Sequence, residues 1–443
     1  MHKGLKSLEI RFSETHLTHY GGMVLIHRFC NRLGLRHMVQ RQVSSFEHVG
    51  DYDPATLLLV LLYAIIMGLK RVHKTAILQY NGTFLRLLGL PRFPDQSTLR
   101  RFLKRLRPQA IRQIVTLHDR FRRLLFRSPW PRTSLIFDLD SVVLVVYGRK
   151  QFAQVGYNPK KPGRRSYHPL LAFEARYQEF WHGSLRPGKA TSATGAVPFI
   201  ERCLAKVPKD IARSRIRFRA DAGFYSRRII ESLDKERVGY VIVARLYPPV
   251  KKLMYSCHFE EVGNGWEVGT FKLQPFRWLK PHRYVVVRRP IPEDPIEARQ
   301  LKLFRHGKYV YHVSISNLAM RPWRIWRFYS GRAVIEKNIR ELIYDYPLGD
   351  IPTQDWISNV AFFHILLFAY DIVHWFKRLC LPRGYLHVTL DTIRSTFLAI
   401  PARLTKQGSR NVLCLPKDYP HQRQFRAAFA KAGQWKVRKE TNL

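Results

Sequence analysis

The stretch TSLIFDLDSVVLVVYG, from Thr133 to Gly148, sets two aspartates among apolar residues in a chain whose formal net charge is +44. Its composition predicts a buried strand. Because alternate residues of a strand point to the same side, Asp138 and Asp140 share one face. A carboxylate in apolar surroundings is costly unless a cation pairs with it. The stretch therefore predicts a strand with cationic charge beside its acidic face.

Composition indicates a globular chain with an anionic partner. The 443 residues are 46% hydrophobic and 13% aromatic, which excludes a disordered basic tail. Lysine and arginine number 76 against 32 acidic residues, a balance typical of proteins that bind nucleic acid. An anionic membrane surface is the competing interpretation.

Two apolar segments bear on the membrane alternative, and both favour a protein core. Residues 55–69 are shorter than the roughly 18 to 20 residues that span a bilayer, and they follow Asp53 and Pro54, a typical helix start. The segment 356–376 contains serine, asparagine, histidine and aspartate, which predicts a helix buried in protein. Five widely spaced cysteines exclude a C-x-x-C zinc site and favour a reducing cytoplasm.

The N-terminal part predicts helices with a basic surface. In DQSTLRRFLKRLRP (95–108) the apolar residues recur at helical spacing, and Asp95 or Ser97 is placed to cap the start. The opposite face carries Arg101, Lys104 and Arg105, and a second basic segment, RFRRLLFR (120–127), follows. An ordinary solvated face is the alternative, but the pair of basic helices favours a DNA-binding region.

Three acidic positions have surroundings that suit catalysis. Asp140 and Asp138 lie on the strand already described. Asp221 follows the apolar strand 216–220, and strand ends of α/β sheets are where ligands collect. Glu336 lies in YSGRAVIEKNIRELI (329–343), where the pattern predicts one helical stripe that also carries Tyr329, Arg332 and Arg340.

Three carboxylates that converge would repel one another without a cation between them. Mg²⁺ prefers carboxylate and phosphate oxygens, and two such ions can activate an attacking oxygen and stabilise a leaving one. The alternative for any single aspartate is a local hydrogen-bonding role at a strand end. Together, the three positions predict metal-dependent phosphodiester chemistry.

These segments resemble a DDE-type transposase of bacterial insertion sequences, the group whose third acid lies in a Tyr-x2-Arg-x3-Glu-x6-Lys helix. Tyr329, Arg332 and Glu336 match that spacing. RADAGFYS (219–226) resembles the segment of the second aspartate, and FDLDSVV (137–143) the first, with Asp140 aligning best. The signature lysine position holds Ile343, for which Arg340 or Lys337 is the candidate substitute.

The resemblance implies an α/β fold with an RNase H-like catalytic core interrupted by a β-rich insertion. It implies domains at 1–130 (helical, DNA-binding), 131–248 (first part of the core), 249–320 (β-rich insertion), 321–352 (rest of the core) and 353–443 (helical region with a basic tail). Strand-like runs at 133–245 alternate with helical patterns. The stretch 250–320 favours strands, with an Asn-Gly hairpin turn in GNGWEVG (263–269).

The resemblance also implies a Mg²⁺- or Mn²⁺-dependent enzyme that cuts element ends and joins them to target DNA. The metal ligands it implies are Asp140, Asp221 and Glu336; Asp138, on the same strand face, is a further candidate ligand, and which of the two aspartates of the strand is the main one is left open. Its partners would be double-stranded DNA, as terminal inverted repeats and target, and a second copy of the chain; we expect a bacterial cytoplasmic protein associated with the nucleoid. The alternatives are an inactive DNA-binding relic that acts as a repressor, and a nuclease that does not join.

Predicted DNA contacts extend beyond the signature helix. The loop YNPKKPGRRSYHP (157–169) concentrates positive charge next to the first-acid strand, which favours phosphate contact over a merely solvated loop. The predicted DNA-binding residues are Tyr329, Arg332, Lys337, Arg340, Lys160, Lys161, Arg164, Arg165, Arg101, Lys104 and Arg105.

Overall fold

The computed structural model describes residues 9–43, 51–291 and 304–434, and the chain divides into two compact units. The first unit comprises Met1–Leu117, Asp345–Pro352 and Trp375–Leu443; the second comprises His118–Tyr344 and Thr353–His374. The boundaries of the five domains predicted from sequence stay predictions.

The N-terminal part of the first unit is mainly helical, as predicted. Its helices span Met23–Arg32, Leu35–Gln42, Pro54–Ile66, Gly82–Leu88 and Gln96–Arg105, and the helix Pro108–Leu125 begins in it. The Pro54–Ile66 helix starts as predicted, since Asp53 accepts a hydrogen bond from the Thr56 amide at 3.1 Å. All its residues from Ala55 onward are buried, so it forms the core of this unit.

The predicted amphipathic helix is confirmed at Gln96–Arg105. Leu99, Phe102 and Leu103 are buried, whereas the basic residues of the other face are exposed. Asp95 occupies the N-cap position, but its carboxylate accepts a hydrogen bond from Gln79 Nε2 at 2.7 Å in place of a helix amide. Arg122 of the second basic segment is buried and donates to the carbonyl oxygens of Phe180 and Trp181, so it is not a surface residue.

The C-terminal part of the first unit contains a hairpin where a helical region and basic tail were predicted. Strands β15 (Ala402–Gln407) and β16 (Arg410–Cys414) pair with each other, and β15 also pairs with β1 (Leu17–Thr18). Buried Ala402 and Leu404 alternate with exposed Arg403, a period-two pattern that favours a strand. Helices Leu390–Ile393 and Gln422–Gln434 flank the hairpin.

Strands β2 to β14 belong to the second unit and form two sheets. The small sheet has the order β3-β5-β4 and comprises β3 (Leu144–Val145), β4 (Gln154–Val155) and β5 (Arg165–Tyr167). The large sheet comprises β2 (Leu135–Ser141), β6 (Leu170–Glu174), β7 (Glu179–Ser184), β8 (Ile216–Ala220), β9 (Gly239–Val243), β10 (Phe259–Gly263), β11 (Trp266–Leu273), β12 (His282–Pro290), β13 (Phe304–His306) and β14 (Tyr309–Ser316).

The first five strands of the large sheet form the RNase H-like core that was predicted. Their spatial order is β7-β6-β2-β8-β9, in which β6 and β7 are antiparallel neighbours on one side of β2, and β8 and β9 are parallel to it on the other. Helices Ala196–Ala205 and Arg227–Lys235, predicted from sequence, provide the crossovers to β8 and β9. The predicted α/β class is therefore confirmed.

The β-rich segment after the core continues the same sheet. Strand β14 pairs antiparallel with β9, and β12, β11 and β10 follow outward, with β13 also on β14. Asn264 and Gly265 have φ angles of +54° and +69° in the turn between β10 and β11, which confirms the predicted hairpin turn. Helices Pro248–Ser256, Pro322–Ser330 and Ala333–Tyr344 complete this part.

Among the described residues, Trp356–Cys380 is the one helix long and apolar enough to cross a membrane. Most of it is buried within the protein, and its polar groups have protein partners. Asp371 accepts hydrogen bonds from the Phe180 amide at 2.8 Å and from His118 Nε2 at 2.7 Å. These contacts are those of a core helix, as predicted.

Candidate active site

Asp138 on β2 pairs with an arginine of the neighbouring strand. The register of β2 and β8 places Arg219 beside it, and the guanidinium donates from Nε to Oδ1 at 2.6 Å and from Nη2 to Oδ2 at 2.7 Å. The side chains are 1% and 6% exposed. Burial raises the pKa of Asp138 and Arg219 opposes the rise. Both oxygens are thus engaged by a cation; metal binding by Asp138 stays a prediction.

Arg219 has a third contact that ties these strands to a helix. Its Nη1 donates to the Phe328 carbonyl at 2.6 Å, and its guanidinium lies 5.0 Å from the centroid of the Phe328 ring. We call this set of contacts to Asp138 and Phe328 the Arg219 clamp. It joins β2 and β8 to the helix Pro322–Ser330.

Asp140 lies near the end of β2 and has a different arginine. Its Oδ1 accepts from the Ser141 amide at 2.8 Å, and its Oδ2 lies 3.1 Å from Nη2 of Arg332, which also donates to the Leu139 carbonyl at 3.0 Å. Burial raises the pKa of Asp140 to about 6; Asp221 and Glu336 add to the rise, and Arg332 opposes it. The expected cations beside the strand are thus two guanidinium groups in this structure.

Asp221 lies at the C-terminal end of β8, as predicted. It begins the helical turn Ala222–Phe224, and its Oδ1 accepts a hydrogen bond from the Gly223 amide at 2.8 Å. Strand β8 is parallel to β2, so Asp221 follows the strand that neighbours the one bearing Asp140. The order of the sheet brings the first two acidic positions to the same edge.

The predicted continuous stripe from Tyr329 to Arg340 is wrong, because the helix is interrupted. Tyr329 lies in the helix Pro322–Ser330, Arg332 lies at the junction, and Glu336 is exposed in the first turn of the helix Ala333–Tyr344. The Phe328 carbonyl, which the Arg332 amide would bond in a continuous helix, accepts from Arg219 instead. The Arg332 amide donates to Tyr329 at 2.8 Å. The junction turns Arg332 inward toward Asp140.

The acidic side chains are coupled through their charges. The pKa of Tyr329 is raised to about 12, first by burial and then by Asp221, Asp140 and Glu336, with Arg332 opposing. Within residues 9–43, 51–291 and 304–434, no three histidine, cysteine, aspartate or glutamate side chains are close enough together to hold a metal ion. The three carboxylates therefore share one electrostatic environment without forming a closed three-ligand cage.

The chemistry of this donor set fits a divalent cation. Mg²⁺ is usually held by one or two carboxylates together with phosphate oxygens and water, so a closed protein cage is not required. Asp221 and Glu336 raise the pKa of Asp140, which means that their negative charges oppose its ionisation. A cation among the three would relieve that repulsion.

The chain matches the family model described as transposase DDE domain group 1 over residues 2–436. It belongs to the DDE transposase family. This match spans nearly the whole chain and includes Asp140, Asp221 and Glu336.

Solved transposase structures are similar to this chain at low identity. A synaptic complex of piggyBac transposase with hairpin DNA has a TM-score of 0.40 at 13% identity, with 93% of this chain and 91% of that chain covered. A Mos1 transposase paired-end complex with the left transposon end has a TM-score of 0.17 at 13% identity, with 50% of this chain and 68% of that chain covered. A pre-cleavage Mos1 transpososome has a TM-score of 0.17 at 12% identity, with 52% of this chain and 79% of that chain covered. No curated protein matches the chain.

In this transposase, Ser141, Ser192 and His168 form a polar group next to Asp140. Ser141 Oγ lies 2.8 Å from Ser192 Oγ and 3.0 Å from Nε2 of His168, whose Nδ1 bonds the Ala190 carbonyl. Burial lowers the pKa of His168, which favours the neutral ring. The group fixes the end of β2 where Asp140 lies. Its sequence signals are the position of Ser141 beside the acid and a histidine, His168, in the basic loop that follows the first-acid strand.

Arg219 was missed as a functional position of the transposase. Its signal is the arginine two residues before Asp221 in the strand IRFRA (216–220), where alternation with Phe218 and Ala220 does not by itself separate it from Arg217. The partner could not be named from sequence, since Asp138 is 81 residues away.

Nine of the eleven predicted DNA contacts lie on exposed surfaces of the transposase, whereas Tyr329 is half-buried and Arg332 is buried. Lys337 and Arg340 are exposed on the helix Ala333–Tyr344. Lys160, Lys161, Arg164 and Arg165 are exposed around β5 in the same unit, and Arg101, Lys104 and Arg105 are exposed in the first unit. Arg332 differs from these, because its side chain is 7% exposed and bound to Asp140. Ile343, at the signature lysine position, is half-buried.

Proposed function

We propose that this chain is the DNA transposase of an insertion sequence, which cuts the element's ends and joins them to target DNA. The observation that carries the proposal is the placement of Asp140 and Asp221 at the same edge of the sheet, with Arg332, just before the helix of Glu336, paired to Asp140. Asp140 lies near the end of β2, Asp221 follows the neighbouring strand β8, and Glu336 lies in the first turn of a helix, in a chain of the DDE transposase family.

Asp140, Asp221 and Glu336 are the residues that would hold Mg²⁺ or Mn²⁺. Bound divalent cations supply activation of the attacking oxygen and stabilisation of the leaving oxygen in phosphodiester displacement. Arg332 donates to Asp140 and to the backbone beside it, which orients the carboxylate. We assign Asp138 to the Arg219 clamp, where its two oxygens hold β8 in register with β2.

The exposed cations would bind the phosphates of double-stranded DNA, as terminal inverted repeats and as target. Lys337 and Arg340 extend from the helix of Glu336, and Arg340 takes the place of the signature lysine in this proposal. A net charge of +44 supports a polyanionic partner. We propose that the chain acts as a homodimer on DNA in the bacterial cytoplasm, associated with the nucleoid.

The test is cleavage and strand transfer on the DNA ends that flank the gene, with Mg²⁺, for wild type and Glu336→Gln. The matched control is Glu201→Gln, the same change at an exposed position of the helix Ala196–Ala205 in the same unit. We expect joined products with the wild type and the control, and a loss of roughly 10²-fold or more with Glu336→Gln, because a charge-stabilising group at the reacting centre is removed.

Two outcomes would contradict the proposal in different ways. Cut ends without joined products would identify a nuclease. End binding without any cutting by the wild type would identify an inactive DNA-binding relic, which the isoleucine at position 343 favours. Ile343→Lys would then be the variant to measure next.

A further inference from the structure

A cluster of exposed aromatic and basic side chains surrounds the small sheet β3-β5-β4. Tyr147 is 65% exposed, Phe152 56% and Tyr157 74%. The exposed cations of the same segment are Lys160, Lys161, Arg164 and Arg165. We call these seven residues the hairpin patch. Tyr329, Trp323 and Trp326, by contrast, pack against other aromatic rings.

The backbone that carries the hairpin patch is held by many specific contacts. Asn158 Oδ1 accepts from the amides of Lys160 and Lys161 at 3.2 and 3.1 Å. Gly156 lies so close to the backbone of Gly188 that a Cβ would collide with it. Gln151 accepts from the Trp356 amide at 2.9 Å through its side chain and from Tyr167 Oη at 2.6 Å through its carbonyl. The exposed aromatic rings therefore extend from a backbone that these contacts hold in place.

Phe152 is the clearest case of an exposed aromatic ring in the hairpin patch that requires an unfavourable backbone conformation. Its φ angle is +58°, a conformation that is unfavourable for a residue with a side chain and that concentrates at functional sites. The ring contacts Trp356 edge-on, with 5.3 Å between centroids, and still keeps more than half of its surface in solvent. The surroundings thus hold an aromatic ring outward.

Cations and aromatic rings lie side by side in the hairpin patch. Lys161 Nζ lies 3.3 Å from Tyr147 Oη. Val155, 48% exposed, pairs with Arg165, whose carbonyl also accepts from the Val146 amide at 3.0 Å. Tyr147 therefore extends from the edge of the sheet next to Arg164 and Arg165.

This combination is the one that binds unpaired nucleic acid. Cations placed along the nucleic-acid backbone neutralise its phosphates, and exposed aromatic rings stack on successive bases. Phosphates of a duplex need only the cations, because its bases already stack on each other. The aromatic rings thus add a preference for bases that are not paired.

The hairpin patch also lies near the acidic site along the chain. Tyr147 follows Asp140 by seven residues, which limits their Cα separation to about 24 Å at 3.2–3.4 Å per residue. At the other end of the patch, β5 is followed by His168, which bonds Ser141 beside Asp140.

We propose that the hairpin patch binds single-stranded DNA, specifically the unpaired strand of an element end opened at the cleavage point. Its placement at an element end rests on the proposed function, whereas binding of single-stranded DNA does not require it. Tyr147, Phe152 and Tyr157 stack on bases, and the four cations hold the phosphates.

The experiment is fluorescence anisotropy of a short oligothymidylate and of a duplex, both in EDTA so that no metal-dependent cleavage occurs. For Tyr147→Ala/Tyr157→Ala we expect single-strand affinity to fall about 10- to 100-fold, because one to two stacked bases lose their platform. Duplex affinity should change by no more than about twofold, since the phosphate-binding cations are retained. Tyr147→Phe/Tyr157→Phe should restore single-strand binding, because stacking needs the ring and not the hydroxyl.

The control is Tyr80→Ala, which removes an 86% exposed tyrosine from the first unit and should leave both affinities unchanged. Equal losses for single strand and duplex would overturn the proposal, as would unchanged single-strand binding accompanied by a changed oligomeric state. The latter would identify a protein interface. Single-strand binding is measured in EDTA and does not depend on cleavage, so a failure of the cleavage test leaves this result independent.

Discussion

Asp138 and Asp140 lie two residues apart on β2, and their different environments give them different roles. Asp138 is 1% exposed and saturated by a bidentate pair with Arg219. Asp140 is 16% exposed and forms an ion pair with Arg332, and the negative charges of Asp221 and Glu336 raise its pKa. The first therefore stabilises the sheet, and the second is available to a ligand.

Removing Arg219 should destabilise the second unit strongly. Arg219→Met leaves the buried Asp138 carboxylate without a partner, which costs about 3–5 kcal/mol of the free energy of unfolding. The double variant Asp138→Leu/Arg219→Met should recover most of it, because no charge stays buried. Urea unfolding measures both. The control is Arg217→Met, a half-buried arginine on the same strand; equal costs for the two single variants would contradict a special role for Arg219.

The raised pKa of Asp140 predicts a pH-dependent stability without metal. Its pKa of about 6, against 3.8 for an ordinary aspartate, means that the folded state binds the proton more tightly than the unfolded state. Its stabilising contribution is full below pH 3.8 and is lost as pH rises to about 6. Relative to Asp140→Asn, the wild type should therefore lose up to about 3 kcal/mol across that window.

Urea unfolding in EDTA at a series of pH values measures this difference. Glu201→Gln, the same loss of one carboxylate at an exposed helix position, is the control measured alongside. A wild type that gained stability relative to Asp140→Asn as pH rose would show that Arg332 outweighs burial and the neighbouring acids.

At the scale of elements, the junction between the helices Pro322–Ser330 and Ala333–Tyr344 determines the geometry of the site. Arg219 takes the Phe328 carbonyl that a continuous helix would use, and the chain turns at Gly331. Arg332 is buried as a result, whereas Glu336 starts a new helix. Arg219 of β8 thus connects the strands of the first two acids to the helix Pro322–Ser330, which precedes the helix of Glu336.

Gly331→Ala should destabilise the protein although alanine favours helix. A Cβ at this position would lie 2.6 Å from Arg219 Nη1, which cannot move without losing its bonds to Asp138 and Phe328. We expect a cost of about 1–3 kcal/mol in the free energy of unfolding. The cost should vanish in an Arg219→Met background, because the colliding group is then absent.

The matched control for this change is Gly349→Ala, where a Cβ would have open space around it. Chemical denaturation of the four proteins gives the coupling energy. A cost that persists in the Arg219→Met background would assign the effect to the backbone at residue 331 and not to the clamp.

At the scale of the whole molecule, the positive charge is spread over both units. Arg101, Lys104 and Arg105 lie on a helix of the first unit, and the acids and the hairpin patch belong to the second. A chain with 76 basic and 32 acidic residues binds polyanions through many phosphate contacts. The first unit would then supply affinity for duplex DNA, and the second its chemistry.

The salt dependence of duplex DNA binding should measure the phosphate contacts of the basic helix Gln96–Arg105. Arg101→Ala/Lys104→Ala/Arg105→Ala should lower the slope of log K against log salt by up to about 3, near 0.9 for each phosphate contact. Anisotropy over a salt series measures the slope. The control triple, Arg403→Ala/Lys406→Ala/Arg410→Ala, removes three exposed cations from the hairpin of β15 and β16. An equal change in both would indicate binding by net charge alone.

The sequence by itself determined the α/β class, the strand that bears Asp140, the strand end that bears Asp221 and the basic surface of Gln96–Arg105. Periodicity and charge are local properties, and each of these features depends on residues within one element. The hairpin at Ala402–Cys414 was not predicted; its local pairing of β15 with β16 is joined by pairing of β15 with β1, nearly four hundred residues earlier.

Only the tertiary structure decided which cation meets which acid. Arg219 and Asp138 are 81 residues apart, and the register of two parallel strands brings them together. Arg332 reaches Asp140 because a side chain from β8 interrupts the helix on which a continuous stripe was predicted. Helical spacing describes one element, whereas ion pairing depends on how elements pack; burial then makes each unpaired charge costly enough to select one arrangement.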